Sequence, residues 1–243
     1  MSFRSIFNWS GGKDSALALH YTLQNKDYNI ERLITTVNAT YDRISMHGVR
    51  TALLDKQAEL LGLPVQKLLL QEQPTMTEYN EAMTALMSNL KQEGFTHSIF
   101  GDIFLEDLRK YREDKLAEQD FSAYFPLWKR DTTELVHEFL DLGFKTITVC
   151  VKSELLDESF TGRVIDKDFL KDLPANVDPC GENGEFHTFV FDGPIFKKPI
   201  PFTVGEKVFR EYKAPENKED NCFSDDKPKQ QTGFWFCDLL PSH

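Results

Sequence analysis

The stretch SIFNWSGGKDS, residues 5–15, decides the fold of this 243-residue chain. A short apolar run stops abruptly at two glycines. After them Ala16, Leu19 and Leu23 recur at i, i+3 and i+7, which is the spacing of one helix face. The stretch therefore predicts a buried strand, a glycine loop and a helix that begins near Asp14.

The same alternation continues through the first half of the chain. Strand-like runs at 33–37, 65–70 and 98–100 are separated by helical spacings at 54–61 and 79–90. Strands that alternate with helices are typical of a parallel sheet, because parallel strands need long crossover connections. The sequence therefore predicts an α/β fold with a doubly wound parallel sheet.

The pattern changes near residue 125. A helical spacing at 135–142 and a strand-like run at 145–151 precede a Gly- and Pro-punctuated segment, 177–199, whose centre is rich in strand-forming residues. We expect a second, smaller α+β domain, with boundaries at 1–125 and 126–213. Residues 214–243 are predicted to be a flexible excursion whose FWF triplet, 234–236, docks back or packs on a partner.

Composition narrows the possible partners and compartments. Lys and Arg total 28 against 39 Asp and Glu, a net charge of −11, and this excess of acid disfavours nonspecific nucleic-acid binding. The four cysteines form no C-x-x-C pair, so neither a zinc site nor a disulfide framework is expected. No run approaches the roughly 20 apolar residues of a membrane span. We expect a cytoplasmic protein without a membrane partner.

The loop from Ser10 to Ser15 has the composition of a pyrophosphate-binding loop. Gly11 and Gly12 let the backbone approach a ligand closely, and the N–H groups of a helix start bind anions. Hydroxyls and the Lys13 charge add to this, although the loop lacks the Walker A spacing. Asp14 beside a phosphate is explained if it caps the helix or helps to hold Mg²⁺. The alternative is a plain glycine turn with a helix cap.

A second candidate group follows the fourth strand. Gly101 and Asp102 come at the carboxyl ends of the strands, where open α/β sheets bind ligands, and Val37 ends the second strand at the same edge. Asp102 could hold Mg²⁺, a ribose or the incoming nucleophile; alternatively it is the N-cap of the next helix. The charge run at 106–113 is predicted to be a solvated helix face.

Two carboxylates lie between glycines in the second part of the chain. If Glu185 begins the following strand, it shares a face with His187, and together they could deprotonate ammonium or bind a cationic substrate. The alternative is a surface loop before a core strand. Cys180 has no evident base to make it a nucleophile. Arg163 could clamp an anion or form an ordinary surface ion pair.

Five motifs stand in an order that resembles one known family. They are SGGKDS at 10–15, GDI at 101–103, FPLW at 125–128, DESF with GR at 157–163, and GENGEFHT at 181–188. The chain resembles the diphthine–ammonia ligases, PP-loop ATP pyrophosphatases of the adenine nucleotide alpha hydrolase-like group, over residues 3–200. Asn183 departs from the commoner G-E-G-G-E form. The resemblance implies a HUP-like nucleotide-binding domain.

The resemblance also implies a reaction. Such enzymes cleave ATP between the α and β phosphates, activate a carboxylate as an adenylate and amidate it with ammonia; in this family the acceptor is the diphthine carboxylate of translation elongation factor two. We expect ATP and Mg²⁺ as cofactors, with Asp14 and Asp102 near the metal. The predicted catalytic residues are Lys13, Asp14, Asp102, Glu185 and His187. The predicted nucleotide site comprises Ser10, Gly11, Gly12, Lys13, Asp14, Ser15, Val37, Gly101 and Asp102, and the predicted acceptor site comprises Trp128, Arg163, Glu182, Glu185 and Thr188.

Two other functions stay open at this stage. A PP-loop tRNA-modifying enzyme would need a basic RNA surface, and sulfur transfer usually needs paired cysteines; the net charge and the scattered thiols count against it. A nucleotide-binding sensor would bind ATP without releasing pyrophosphate. A homo-oligomer is possible in each case.

Overall fold

The computed structural model describes residues 2–72, 74–212 and 232–242. Two sheets and their helices make up this part of the chain. The strands of the first sheet are β1 (Phe3–Asn8), β2 (Tyr28–Asn38), β3 (Arg43–Ile44), β4 (Val65–Leu70), β5 (His97–Ile99) and β6 (Ser122–Tyr124). Those of the second are β7 (Lys145–Lys152), β8 (Phe186–Asp192), β9 (Phe202–Tyr212) and β10 (Thr232–Pro241). The helices are α1 (Lys13–Gln24), α2 (Thr51–Leu61), α3 (Met76–Gln92), α4 (Glu106–Ala117), α5 (Thr132–Asp141) and α6 (Lys167–Asp172).

The first sheet confirms the predicted α/β class. Strand β1 lies at its centre and pairs in parallel with β2 on one side and β5 on the other, while β4 and β6 extend the sheet in parallel. The order along the sheet is not the order along the chain. The direction of winding therefore reverses at β1, which places the loop after β1 at the position where such sheets bind ligands.

Two short strands of this sheet were not predicted. Strand β6 has three residues and β3 has two, so neither shows a readable alternation. Strand β3 runs antiparallel to the end of β2, at Val37 and Asn38. Those residues also pair with β4, so β3 occupies the edge of β2 on which β1 has already ended at Asn8. As a result, the segment after β3 lies beside the glycine loop.

The second sheet is antiparallel, in the order β8-β7-β10-β9. This agrees with the predicted α+β character of the second part. Strand β10 contains the triplet 234–236 and pairs with β7 on one side and β9 on the other. The triplet therefore docks back, as an inner strand of this sheet. Most of the predicted excursion, residues 213–231, lies outside the described residues.

One continuous apolar cluster joins the two sheets. Trp9 and Leu54 from the first half share it with Phe139, Phe189 and Leu239 from the second. Because burial of apolar side chains is the main favourable term in folding, this shared core fixes the second sheet against the loop after β1. Among the helices described, none is long and apolar enough to cross a bilayer.

Candidate active site

The glycine loop has the predicted strand–loop–helix geometry. Gly11 has a φ of 80°, in the left-handed region that glycine adopts without a Cβ clash. Gly12 is the N-cap of α1 and no side chain caps this helix. The side chain of Asp14 therefore does not cap this helix. The serines lie together, with the Ser10 and Ser15 hydroxyl oxygens 3.1 Å apart.

A fully buried glutamine holds this loop in place. Gln57 of α2 accepts a hydrogen bond from the Trp9 indole N–H at 2.9 Å and donates from Nε2 to the Gly11 carbonyl at 3.0 Å. The same nitrogen donates to the carbonyl of Val190 in β8 at 2.7 Å. Sequence reasoning missed Gln57. A signal existed, since it is a polar residue on the otherwise apolar face of α2.

Lys13 is buried rather than open to solvent. Its ammonium lies 2.6 and 2.7 Å from the two oxygens of Asp14, and its side chain is 4% exposed. Burial alone would lower the pKa of Lys13, but the charge and hydrogen bonds of Asp14, together with other nearby acidic groups such as Glu182, outweigh burial and raise that pKa above its ordinary value. The pair holds the ammonium of Lys13 beside Asp14, in the first turn of α1. Asp14 thus forms an ion pair and does not cap the helix.

Gly101 and Asp102 lie against the start of α1. A Cβ on Gly101 would be 3.0 Å from the backbone of Asp14 and Ser15, so only glycine permits this approach. Asp102 accepts a hydrogen bond from Arg112 at 3.1 Å, and its Oδ2 is buried with no partner among the described residues. Burial raises the pKa of Asp102, and the Asp14 carboxylate adds to that rise. The cap of α4 is Leu105, so the N-cap alternative for Asp102 is wrong.

The loop at 178–185 is shaped by two of its own carboxylates. Asp178 accepts hydrogen bonds from the backbone N–H groups of Cys180 and Glu182. Glu185 accepts from the N–H groups of Asp178 and Asn183 at 3.0 and 2.9 Å, and from the Asn183 side chain at 3.1 Å. Glu185 is 2% exposed and precedes β8, which begins at Phe186. Its carboxylate therefore organises the loop.

Glu182 is the glutamate of this loop that reaches the first sheet. Its Oε1 accepts a hydrogen bond from the N–H of Ile103 at 2.9 Å. Burial, with the Asp14 charge next in weight, raises the pKa of Glu182 to about 7. Asp14 and Glu182 thus lie near enough to the buried ammonium of Lys13 to interact with its charge, and Asp102 interacts with both of these carboxylates.

Strand β8 contributes two further residues on the other side of the loop. Thr188 accepts a hydrogen bond from the Lys13 backbone N–H at 3.0 Å. His187 lies beside His47, which sits in the segment after β3, with ring centroids 4.7 Å apart. His47 was not foreseen, because a lone histidine after a two-residue strand carries no pattern.

The other predicted residues lie away from the loop or are buried. Arg163 donates a hydrogen bond to Asp172 at 2.8 Å, so it forms the ion pair that was the alternative to an anion clamp. Trp128 stacks with Arg109, whose guanidinium carbon lies 4.5 Å from its ring. The Val37 side chain is fully buried. The thiol of Cys180 has its pKa raised by burial to about 12, so it is no nucleophile at neutral pH.

A strand–glycine loop–helix at the ligand edge of a parallel sheet, with a carboxylate loop packed against it, fits the PP-loop class of enzymes. A family model described as the diphthamide synthase N-terminal domain matches residues 3–119, and one described as the C-terminal domain matches residues 131–216. The chain belongs to this diphthamide synthase family, that of the diphthine–ammonia ligases, as the motif order implied.

Named relatives agree with this membership. Diphthine–ammonia ligase of Danio rerio is 26% identical over 219 residues, which cover 82% of this chain and 86% of that protein. The Bos taurus protein of the same name is 25% identical over 183 residues, 69% of this chain and 67% of that protein. Among solved structures, the U34-tRNA thiolase NcsA from Methanococcus maripaludis covers 58% of this chain and 57% of its own, with a TM-score of 0.37 and 19% identity. That likeness is too distant to bear on function.

Proposed function

We propose that this protein is an ATP-dependent carbon–nitrogen ligase that adenylates a carboxylate and amidates it with ammonia, as the name of its relatives describes. The observation that carries the proposal is the bond from Ile103 to Glu182. It places a carboxylate loop of the second sheet at the ligand edge of the first. Nucleotide chemistry and proton transfer can therefore share one site.

The chemistry explains why both halves are needed. A carboxylate does not react with ammonia at neutral pH, because oxide would be the leaving group, whereas an acyl adenylate expels AMP. The backbone N–H groups at the start of α1 are suited to bind the phosphates of ATP. The fixed charge of Lys13 lies beneath them and stabilises the negative charge that develops on the departing pyrophosphate.

Mg²⁺ fits the carboxylates at this edge. In nucleotide enzymes Mg²⁺ is usually held by one or two carboxylates and by substrate phosphates, so a pair of side chains is sufficient. Asp14 and Asp102 form such a pair, and one buried oxygen of Asp102 has no partner in the part of the chain that the structure describes. Within the described residues no three His, Cys, Asp or Glu side chains converge as ligands, so the phosphates would complete the shell. The ion would offset phosphate charge.

The glutamates of the 178–185 loop take different roles in this proposal. Glu182 faces the carboxylates around Lys13 and would accept the proton of ammonium. Glu185 would position Glu182, because the described hydrogen bonds of the Glu185 carboxylate all come from residues of the loop itself. The geometry thus favours Glu182 over Glu185 as the proton acceptor, with Arg163 and Trp128 outside this contact network.

Product analysis tests the function. The protein, ATP, ammonium and elongation factor two bearing diphthine should yield AMP and pyrophosphate, with a mass change of about −1 Da on the acceptor. That change is the signature of a carboxylate becoming an amide. An acceptor without diphthine is the control. Formation of ADP and phosphate, or nucleotide binding with no pyrophosphate release, would overturn the proposal.

A further inference from the structure

The histidine pair, His47 and His187, lies directly on the glycine loop. A Cβ on Gly12 would be 2.9 Å from Cε1 of His47 and 3.2 Å from the carbonyl oxygen of Thr188. Ring nitrogen Nδ1 of His47 is 3.1 Å from that same carbonyl. The absence of a side chain at Gly12 is therefore what lets an imidazole reach the N-terminal turn of α1.

The pair has unused capacity for hydrogen bonding. A carbonyl oxygen only accepts, so His47 donates from Nδ1 and its Nε2 carries the free lone pair. Within the described ranges the ring of His187 makes no hydrogen bond. Two imidazoles 4.7 Å apart thus retain nitrogens that can bind a proton or a ligand.

The groups around the pair disfavour charge on it. The charge of Lys13, on α1, acts on both rings. Cys150 of β7 is the strand partner of His187. Arg43 donates a hydrogen bond to the carbonyl of Gly48, the residue after His47. Burial lowers the pKa of His47 to about 4, and the positive charge of Lys13 acts in the same direction. Burial, His47 and Lys13 together lower the pKa of His187 to about 3. Both rings are neutral at pH 7 without a ligand.

We propose that His47 and His187 form a proton-coupled anion site that binds the pyrophosphate part of the nucleotide and takes up a proton as it does so. This rests on the proposed function, in which pyrophosphate is a product. A negative charge about 4 Å from an imidazole, at an effective dielectric constant of about 20, raises its pKa by about 3. Pyrophosphate carries several such charges. Because like charges repel, the pair binds a single proton between them.

This site has a defined part in the reaction. When the acceptor oxygen attacks the α-phosphorus, the bond to the bridging oxygen breaks and its electron pair stays on pyrophosphate. The imidazolium N–H donates a hydrogen bond to that anion, and its proton comes from solvent when the nucleotide binds. Proton transfer at Glu182 involves a different contact, the bond from the N–H of Ile103.

Calorimetry with inorganic pyrophosphate tests the proposal. Titrations at pH 7 in two buffers of different ionisation enthalpy should show uptake of about a proton by the unmodified protein, whereas AMP should bind without uptake. His47→Asn and His187→Asn should each weaken pyrophosphate binding by about 10- to 100-fold, the range of a lost charged hydrogen bond, and abolish the uptake. His137→Asn, an exposed histidine on α5, is the matched control.

A measurement on the unmodified protein guards against variants that misfold. In protein labelled with ¹⁵N-histidine, pyrophosphate should move the ring resonances of two histidines toward the protonated form. Pyrophosphate binding without proton uptake, or unchanged ring resonances, overturns the histidine site while the ligase function stands. If neither ATP nor pyrophosphate binds, the histidine site and the ligase function are both overturned.

Discussion

The backbone N–H of Lys13 donates to Oγ1 of Thr188 at 3.0 Å, across 175 positions of sequence. This bond ties the first residue of α1 to the middle of β8. Beside it, the N–H of Val190 donates to the carbonyl of Gly11 at 2.9 Å. The glycine loop therefore takes its shape from the second sheet as well as from its own glycines.

Replacement of Thr188 by valine should loosen this junction. The substitution keeps the shape but leaves the buried N–H of Lys13 without its acceptor, which costs about 1–3 kcal/mol. We expect a lower free energy of unfolding in urea and weaker ATP binding by calorimetry. Thr203→Val, at an exposed position of β9, is the control. Unchanged stability in Thr188→Val would contradict a structural role for this bond.

Substitutions of the two glutamates in the 178–185 loop should have different effects, one on activity and the other on stability. Glu182→Gln removes a proton acceptor and should reduce amide formation by about 10²–10⁴-fold, with little change in melting temperature. Glu185→Gln instead replaces one of two accepting oxygens by an amide N–H₂, which then faces one or two N–H donors, and should lower the melting temperature. If Glu185→Gln melts normally and loses turnover while Glu182→Gln stays active, the roles are reversed.

Lys13 should prove to be a stability residue as well as a phosphate ligand. Lys13→Met leaves the Asp14 carboxylate without its buried cation, at a cost of about 3–5 kcal/mol. Lys13→Met combined with Asp14→Asn removes both charges and should recover much of that loss. Denaturant unfolding of the two single variants and the double variant measures the coupling. Simple additivity would show that the pair contributes nothing.

Asp238 of β10 should make stability depend on pH below 4. Burial would raise its pKa, but hydrogen bonds from Arg50 and Arg43 outweigh burial and lower the pKa to about 2. The carboxylate is thus more acidic when folded, so its contribution is complete above its ordinary pKa near 4. It is lost as the pH falls toward 2, by about 2 kcal/mol.

The measurement is the free energy of unfolding between pH 2 and 6. Asp238→Asn should be less stable at pH 6 and should lose less stability on acidification than the unmodified protein. Asp27→Asn, at an exposed position, is the control and should behave like the unmodified protein. Parallel pH profiles for Asp238→Asn and the unmodified protein would refute the assignment.

The parts of the site that local sequence predicts are those that local spacing determines. The strand–loop–helix at 5–15 follows from an apolar run, two glycines and one helical face, and Asp102 follows from its place after a strand. Glu182 and Glu185 could not be told apart by spacing. Their orientations depend on left-handed glycines at 181 and 184, with φ of 68° and 80°.

Residues that long-range packing brings to the loop were beyond such reasoning. His47 reaches the loop because β3 takes the edge of β2 that β1 has left, and a two-residue strand leaves no periodic trace. The same holds for Asp238, whose arginine partners lie 188 and 195 positions away. Only Gln57 carried a readable sign, as a buried amide on an apolar helix face.

The inner position of β10 has a consequence for how the molecule is made. Strand β10 lies between β7 and β9. Its residue Asp238 accepts hydrogen bonds from Arg43 and Arg50, which lie on either side of His47 in the sequence. During synthesis the glycine loop emerges first, and β10, which stabilises the residues around it, emerges some two hundred residues later. A chain cut before Thr232 would leave β7 with a bare edge, prone to pair with other chains. Nucleotide binding by a ribosome-bound chain should therefore start only after the last strand has left the exit tunnel.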